Sequence, residues 1–328
     1  YITIVSVFSF NIYSQKASVN TADKKYDNYA YIDAIKTYER VAEKGYKSVD
    51  LFKKLGNAYY FNAELEKAAK WYGELFAMDT ANLEPEYYYR YAQSLRSIGE
   101  NDKANQILEL FNQKSGNDIR GKLFKKNTNY LEAIKANSGR FQVEDAGINS
   151  KYSDYGTAIY KNKIVFASAR DTGSLAQRKH AWTNQYFTNL YIADLGDNMA
   201  PSAPKKFDAT VNSKFHESTP TFSSDGKTMY FTRNNYLDGK KGKDSKRIVL
   251  LKIYKATKRN NKWVNVIALP FNSDEFSVAH PALSPDEKTL YFASDMPGTL
   301  GQSDLFKVSI NLDGSYGKPE NLGDTINT

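Results

Sequence analysis

Two stretches of this chain read almost alike: STPTFSSDGKTMYFT (Ser218 to Thr232) and, 62 residues later, HPALSPDEKTLYFAS (His280 to Ser294). Each is a short alternating run, a polar turn, and a second run ending in Phe and small residues. Alternation with a period of two marks a half-buried strand, and a tight turn between two such runs makes a hairpin. Asp225-Gly226 is a strong turn signal because Gly accepts positive φ without a Cβ penalty. Asp286-Glu287 keeps the Ser-Pro-Asp start of that turn. SDYGTAIYKNKIVFAS (Ser153 to Ser168) is an earlier, looser copy that lacks both the Pro and the Ser-x-Asp turn. A chain that repeats a hairpin in this way folds into a row of like sheet units.

A triplet of an apolar residue, Asn and a small hydroxyl residue recurs with the hairpins. The copies are Ile148-Asn149-Ser150, Val211-Asn212-Ser213, Phe271-Asn272-Ser273 and Ile326-Asn327-Thr328, at spacings of 63, 60 and 55 residues. The first three stand just ahead of a hairpin. Each triplet is therefore read as opening a repeat, and the last as opening one that these 328 residues do not contain. A third strand is predicted in each repeat, at NLYIAD (Asn189 to Asp194), VLLKIYKA (Val249 to Ala256) and DLFKVSI (Asp304 to Ile310). A fainter fourth is predicted near Trp263-Val264 and Tyr316-Gly317. Repeats of four antiparallel strands predict β-propeller blades. About three would fit into 148–328, short of the roughly four to eight that close a ring.

The first third has a helical period instead. In SVDLFKKLGNAYYFNAELEKAAKWYGELFAMD (Ser48 to Asp79), Phe52, Leu55, Gly56 and Tyr59 share one helix face, and Ala68, Tyr72 and Leu75 share another. Ala34, Ala68 and Ala104 recur at 34 and 36 residues, with Tyr38, Tyr72 and Leu108 four positions after each. This spacing matches the tetratricopeptide pattern, in which small residues sit where two helices approach. Residues 17–115 are thus expected to form an α-solenoid, and the fold class is α + β multidomain: helical repeats, then an incomplete WD40-like propeller. Such a stack offers a groove lined by its first helices, for which Tyr59, Tyr88 and Tyr89 are the candidate partner-binding residues. Tyr87, Tyr88, Tyr89 and Tyr91 span all faces of one helix, so two or three of them belong to the core. Residues 116–147 read as a connector: one more helix, then a turn and a short strand in SGRFQVEDAG.

Residues 1–16, YITIVSVFSFNIYSQK, are apolar at the start and read as the remnant of an export signal peptide. The run is too short for a transmembrane segment, which needs about 20 apolar residues. There is no Cys, which removes disulfides, thiol chemistry, Cys-ligated zinc and the usual route to a lipid anchor. The net charge of +8 is concentrated in lysine-rich loops such as DGKKGKDSKR (Asp238 to Arg247). With no recognition helix beside them these read as solvated hairpin tips, not a nucleic-acid patch. The three histidines, His180, His216 and His280, have no metal-ligand spacing, and no nucleophile elbow or phosphate loop occurs. The expectation is therefore no catalytic, cofactor or metal residues and no enzyme.

The phrase hPxhSxDxKxhYFxS, carried by His280 to Ser294 and Ser218 to Thr232, resembles the WD40-like repeat called PD40. Helical repeats followed by such blades resemble a family of Bacteroidota envelope proteins of the OmpA family, which includes PorE of the type IX secretion system and related gliding-motility proteins. The resemblance implies a non-enzymatic scaffold in the periplasm, associated with the outer membrane, that docks protein partners through both modules. It also implies that peptidoglycan is gripped by a C-terminal domain outside these residues. The alternatives are a propeller gating a C-terminal hydrolase and a propeller that binds glycan or peptidoglycan fragments.

Overall fold

The structure is a computed structural model that describes residues 2–78, 82–128, 130–170 and 179–327, with side chains from residue 15 onward. Eight helices are described: α1 (Ile2–Asp27), α2 (Tyr31–Glu43), α3 (Val49–Phe61), α4 (Leu65–Met78), α5 (Pro85–Ser97), α6 (Asn101–Ser115), α7 (Ile119–Lys126) and α8 (Tyr130–Ala136). Their ends follow local chemistry. Ser48 accepts a hydrogen bond from Leu51 N at 3.1 Å and starts α3, and Pro85 opens α5 where its missing N–H costs nothing. Helix α1 runs unbroken through the boundary expected at residue 16, and Val19 and Ala22 on it are buried in the helical core. Among the described residues no helix is long and apolar enough to cross a membrane.

The helices pack at a repeating offset. Tyr38 donates to Asp23 at 2.5 Å and Tyr72 donates to Asn57 at 2.8 Å, each reaching 15 residues back to the preceding helix. A Cβ at Gly56 would overlap the Tyr72 ring, so only Gly lets α3 and α4 approach this closely. Tyr38, Phe52, Tyr72, Tyr88 and Phe111 fill the core with almost no exposure. The connector departs from expectation. Two short helices, α7 and α8, replace the single one, and no strand forms at residues 138–147: Phe141 and Val143 are 78% and 91% exposed. Their alternation has no neighbouring strand to complete it.

The chain divides into two compact units, Tyr1–Gln142 with His180–Asn184, and Val143–Lys179 with Gln185–Thr328. The inserted segment joins the first unit through Trp182, whose ring is stacked 5.6 Å from Tyr29. The domain boundary lies five residues ahead of the one expected at 147/148.

The second unit holds three four-stranded antiparallel sheets. Sheet I is β1 (Asp154–Ile159), β2 (Lys163–Ser168), β3 (Asn189–Asp194) and β4 (Lys205–Lys206). Sheet II runs from β5 (Glu217–Phe222) and β6 (Thr228–Asn234) to β9 (Leu251–Arg259) and β10 (Lys262–Ala268), and a small hairpin, β7 (Tyr236–Leu237) and β8 (Lys240–Lys241), leaves it. Sheet III is β11 (Val278–Leu283), β12 (Thr289–Ser294), β13 (Asp304–Ser309) and β14 (Glu320–Asn321). The fourth strand of sheet III is thus Glu320–Asn321; Tyr316 makes only an isolated bridge to Ile310.

Alternate residues of the middle sheet serve both neighbours. Met229, Phe231 and Tyr254 pack with Val165 and Leu190 of sheet I, while Tyr230 and Ile253 pack with Leu290, Phe292 and Val308 of sheet III. In sheet III the counterpart of Tyr230, Tyr291, is 38% exposed. The described sheets form a row, and no closed ring is seen.

Three of the four triplets close a sheet instead of opening one. Asn212 Oδ1 accepts from Leu190 N at 2.8 Å and its Nδ2 donates to Leu190 O at 3.0 Å. Asn272 brackets Ile253 in the same way at 2.9 and 2.8 Å, and Asn327 brackets Leu305 at 2.8 and 3.0 Å. A carboxamide has one acceptor side and one donor side, so it satisfies both peptide groups of one third-strand residue. Asn327 completes sheet III and is 6% exposed, which corrects the reading of the last triplet as an opening. Asn149 has no described sheet before it and donates instead to Asp145 at 3.3 Å. Replacing Asn272 by Leu leaves the Ile253 N–H without an acceptor, while Ile253 O keeps the bond from Leu269 N at 3.1 Å. Urea unfolding should show a loss of about 1–3 kcal/mol; a loss below about 0.5 kcal/mol would reduce the bracket to ornament.

Candidate functional site

Of the tyrosines proposed for a partner groove, Tyr59 and Tyr88 are core residues. Tyr59 is 4% exposed with its hydroxyl donated to Glu39 at 2.6 Å, and Tyr88 is fully buried against Phe76 at 4.8 Å between ring centroids. Both lie on the packed face of their helices, which corrects their assignment to the groove. Tyr89 is half-buried, 5.4 Å from Phe111 and 4.3 Å from the Arg120 guanidinium.

Tyr89 belongs to a polar row that the sequence reading missed. Asn57 accepts from Tyr72 OH and, at 2.8 Å, from Arg90 Nη1. Arg90 Nε donates to Glu86 at 3.2 Å, and Glu86 also accepts from Arg120 Nη2 at 2.9 Å. Asp118 holds Arg120 on both oxygens, at 3.1 and 2.8 Å. The hydrogen bonds from Arg120 keep the Asp118 carboxyl below its ordinary pKa, and the bonds to Asp118 and Glu86 raise Arg120. The Arg90 guanidinium lies 5.7 Å from the Tyr60 ring and 4.9 Å from that of Phe61. Helices α3, α5 and α7 each contribute to this row. Asn57 and Arg90 are 33 residues apart, Glu86 and Arg120 34. Polar residues recurring at the repeat period were the available signal. The row presents fixed cations and aromatic edges at the surface, suited to binding an anionic or aromatic segment.

The sheet unit has two polar features. Where β1, β5 and β11 adjoin, each strand is bulged around a residue of left-handed conformation: Gly156 (φ 65), Thr219 (φ 42) and His280 (φ 57). Thr232 Oγ1 accepts from His280 N at 2.8 Å and lies 2.9 Å from Thr219 Oγ1, while His280 Nδ1 lies 3.3 Å from Thr219 Oγ1. Partial desolvation lowers the pKa of His280, which favours the neutral ring. The second feature is an open cleft of about 620 Å³ lined by Thr210, Ser213, Lys214, Tyr236, Asp238 and Asn265, with Arg233 beneath. Arg233 is 4% exposed and lies 3.1 Å from the fully buried Glu217, a charge contact without hydrogen-bond alignment. Its guanidinium also donates to Val211 O and lies over Phe231 and Tyr254. In sheet I, Arg170 does the same for Ile148 O at 2.6 Å, paired with Asp154 at 3.0 Å. Among the described residues, no group of three or more His, Cys, Asp and Glu is placed to hold a metal ion.

No family model matches the chain, and no curated protein matches it. Among solved structures it is similar to a puromycin-hydrolyzing peptidase of Mycobacterium tuberculosis, at 14% identity and a TM-score of 0.33, over 52% of this chain and 22% of that one. It is also similar to an alpha-L-arabinofuranosidase from Lactobacillus brevis, at 14% identity and a TM-score of 0.31, over 52% of this chain and 51% of that one. The chain spans about a fifth and about half of those two chains. Likeness this slight carries no argument about activity.

Proposed function

We propose that the chain is a non-enzymatic scaffold whose helical unit is a tetratricopeptide stack and whose sheets are blades of an unclosed WD40-like propeller. It docks protein partners in the periplasm, within an outer-membrane machine of the type IX secretion or gliding-motility kind. The observation that carries the reading is the row Asn57–Arg90–Glu86–Arg120, offered by helices of successive pairs and held rigid by hydrogen bonds and ring contacts. A preorganised row of this kind loses little side-chain entropy on binding. The sequence resemblance supplies the compartment and the machine. Peptidoglycan anchoring, on this reading, is the work of a separate C-terminal domain.

The test is co-purification of the tagged full chain from cells after mild cross-linking, compared with the double variant Arg90→Ala, Arg120→Ala. Loss of specific envelope proteins from the variant, with its far-ultraviolet circular dichroism unchanged, is expected. Retention of the same partners by the variant would remove the helical row as the docking site.

A further inference from the structure

Three turns between helices of the first unit share one form. Tyr29 N donates to Tyr26 O and Ala30 N to Lys25 O, both at 2.9 Å. Ala63 N and Gly99 N donate in the same way to Tyr60 O and Arg96 O, at 3.0 and 3.1 Å. All three turn residues are left-handed, with φ of 57°, 57° and 81°. Gly adopts that conformation freely, and a bulky residue does so at a cost. Tyr is therefore the least suited of the three to the turn itself. Its ring is used elsewhere: it stacks 5.6 Å from the indole of Trp182, with 7° between the planes.

Trp182 is carried by a closed loop. Lys179 and Tyr186 bridge at its base, and Asn184 N donates to His180 O at 2.8 Å within it. Besides Tyr29, the indole meets Tyr31 edge-on at 5.0 Å, and its Nε1 donates to Phe61 O at 3.2 Å. That carbonyl is in the last turn of α3, where carbonyls have no partner within the helix. The Ala58, Tyr59 and Tyr60 carbonyls are met by Asn62, Ala63 and Glu64 just downstream. Phe61 O is met from outside the helix, and an indole N–H suits it because that group only donates.

The loop covers this site incompletely. Trp182 is half-buried, Ala181, Thr183 and Asn184 beside it are exposed, and with the indole in place Tyr29 and Phe61 are still 40% and 37% exposed. The Phe61 ring also lies 4.9 Å from the Arg90 guanidinium, so the site continues into the polar row proposed for docking. We propose that Trp182 is an autoinhibitory contact: the site recognises a tryptophan in a protein partner's segment, and Trp182 occupies it until that segment arrives. A segment running from the indole site past Phe61 toward Arg90 buries the aromatic edges that one loop leaves open. This rests on the reading of the helical unit as a docking stack.

The probe is a peptide of the loop's own sequence, Lys179 to Tyr186, with both ends blocked, titrated into the full chain and followed by saturation-transfer NMR. Trp182→Ala should bind it roughly tenfold or more tightly than the native chain, whose own tryptophan competes at the high effective concentration of a short tether. Trp182→Phe, which keeps a ring and loses the donor, should fall between the two. A peptide with alanine in place of its tryptophan should not bind. Adding Tyr29→Gly to Trp182→Ala should weaken binding roughly threefold or more, by loss of the stacked ring. Gly holds the same turn at Gly99, so the double variant should keep its helical circular dichroism. Equal affinity of native chain and Trp182→Ala, no binding to either Trp182 variant, or equal binding of the alanine peptide would each overturn the proposal. If Arg90→Ala with Arg120→Ala keeps its partners while the peptide still discriminates in this way, the docking row falls and the indole site stands.

Discussion

Arg233→Met is expected to cost the sheet unit about 3–5 kcal/mol at pH 8 and distinctly less at pH 5. Glu217 is fully buried, and burial pushes its pKa up to about 7 even with Arg233 3.1 Å away. A raised folded-state pKa contributes stability that is complete below the unfolded value of about 4.3 and is lost as pH rises through about 7. With Arg233 gone the carboxylate has no cation to offset desolvation, so the loss continues above pH 7 and the variant suffers most there. Glu217→Gln should flatten the pH dependence of stability between pH 5 and 8 relative to the native chain. Hydrogen exchange at β5 and β6 reads both effects in the unit concerned. Equal costs of Arg233→Met at the two pH values would show that Glu217 does not titrate in this range.

Tyr72→Ala should cost the helical unit about 3–5 kcal/mol, and Tyr72→Phe only about 1 kcal/mol. The ring has no exposure, packs on the Gly56 side of α3, and lies 6.4 and 6.2 Å from Tyr87 and Tyr91. Removing it leaves a cavity among side chains of α3, α4 and α5 that cannot collapse into a glycine. Removing only the hydroxyl leaves Asn57 still held by Arg90. Thermal unfolding followed by helical circular dichroism measures both. Comparable losses for the two variants would mean that the hydrogen bond, not the ring, holds α3 and α4 together.

Strands β2, β3 and β12 fall at the residues their local pattern names, Lys163–Ser168, Asn189–Asp194 and Thr289–Ser294. Each combines β-branched or aromatic residues with a turn or loop at its edge, and that information is local. Glu320–Asn321 is a strand only because β13 lies beside it, and nothing in two polar residues announces that. Residues 138–147 err in the opposite direction: Phe141 and Val143 alternate correctly but have no partner. The polar sites were hidden for a related reason. Arg233 stands where the other two hairpins have Ser168 and Ser294, a visible departure whose meaning depends on Glu217 across the sheet. Asn57 and Arg90 lie on different helices, and only the repeat length connects them.

The asparagine brackets fix where one sheet module ends. Shortening the gene to Leu322 would preserve every strand of sheet III yet strip Leu305 of its carboxamide partner, so fraying should begin at that outer edge. Joints for shuffling or duplicating these modules therefore belong just downstream of Asn212, Asn272 and Asn327, where a seam severs loop and leaves the fastening intact.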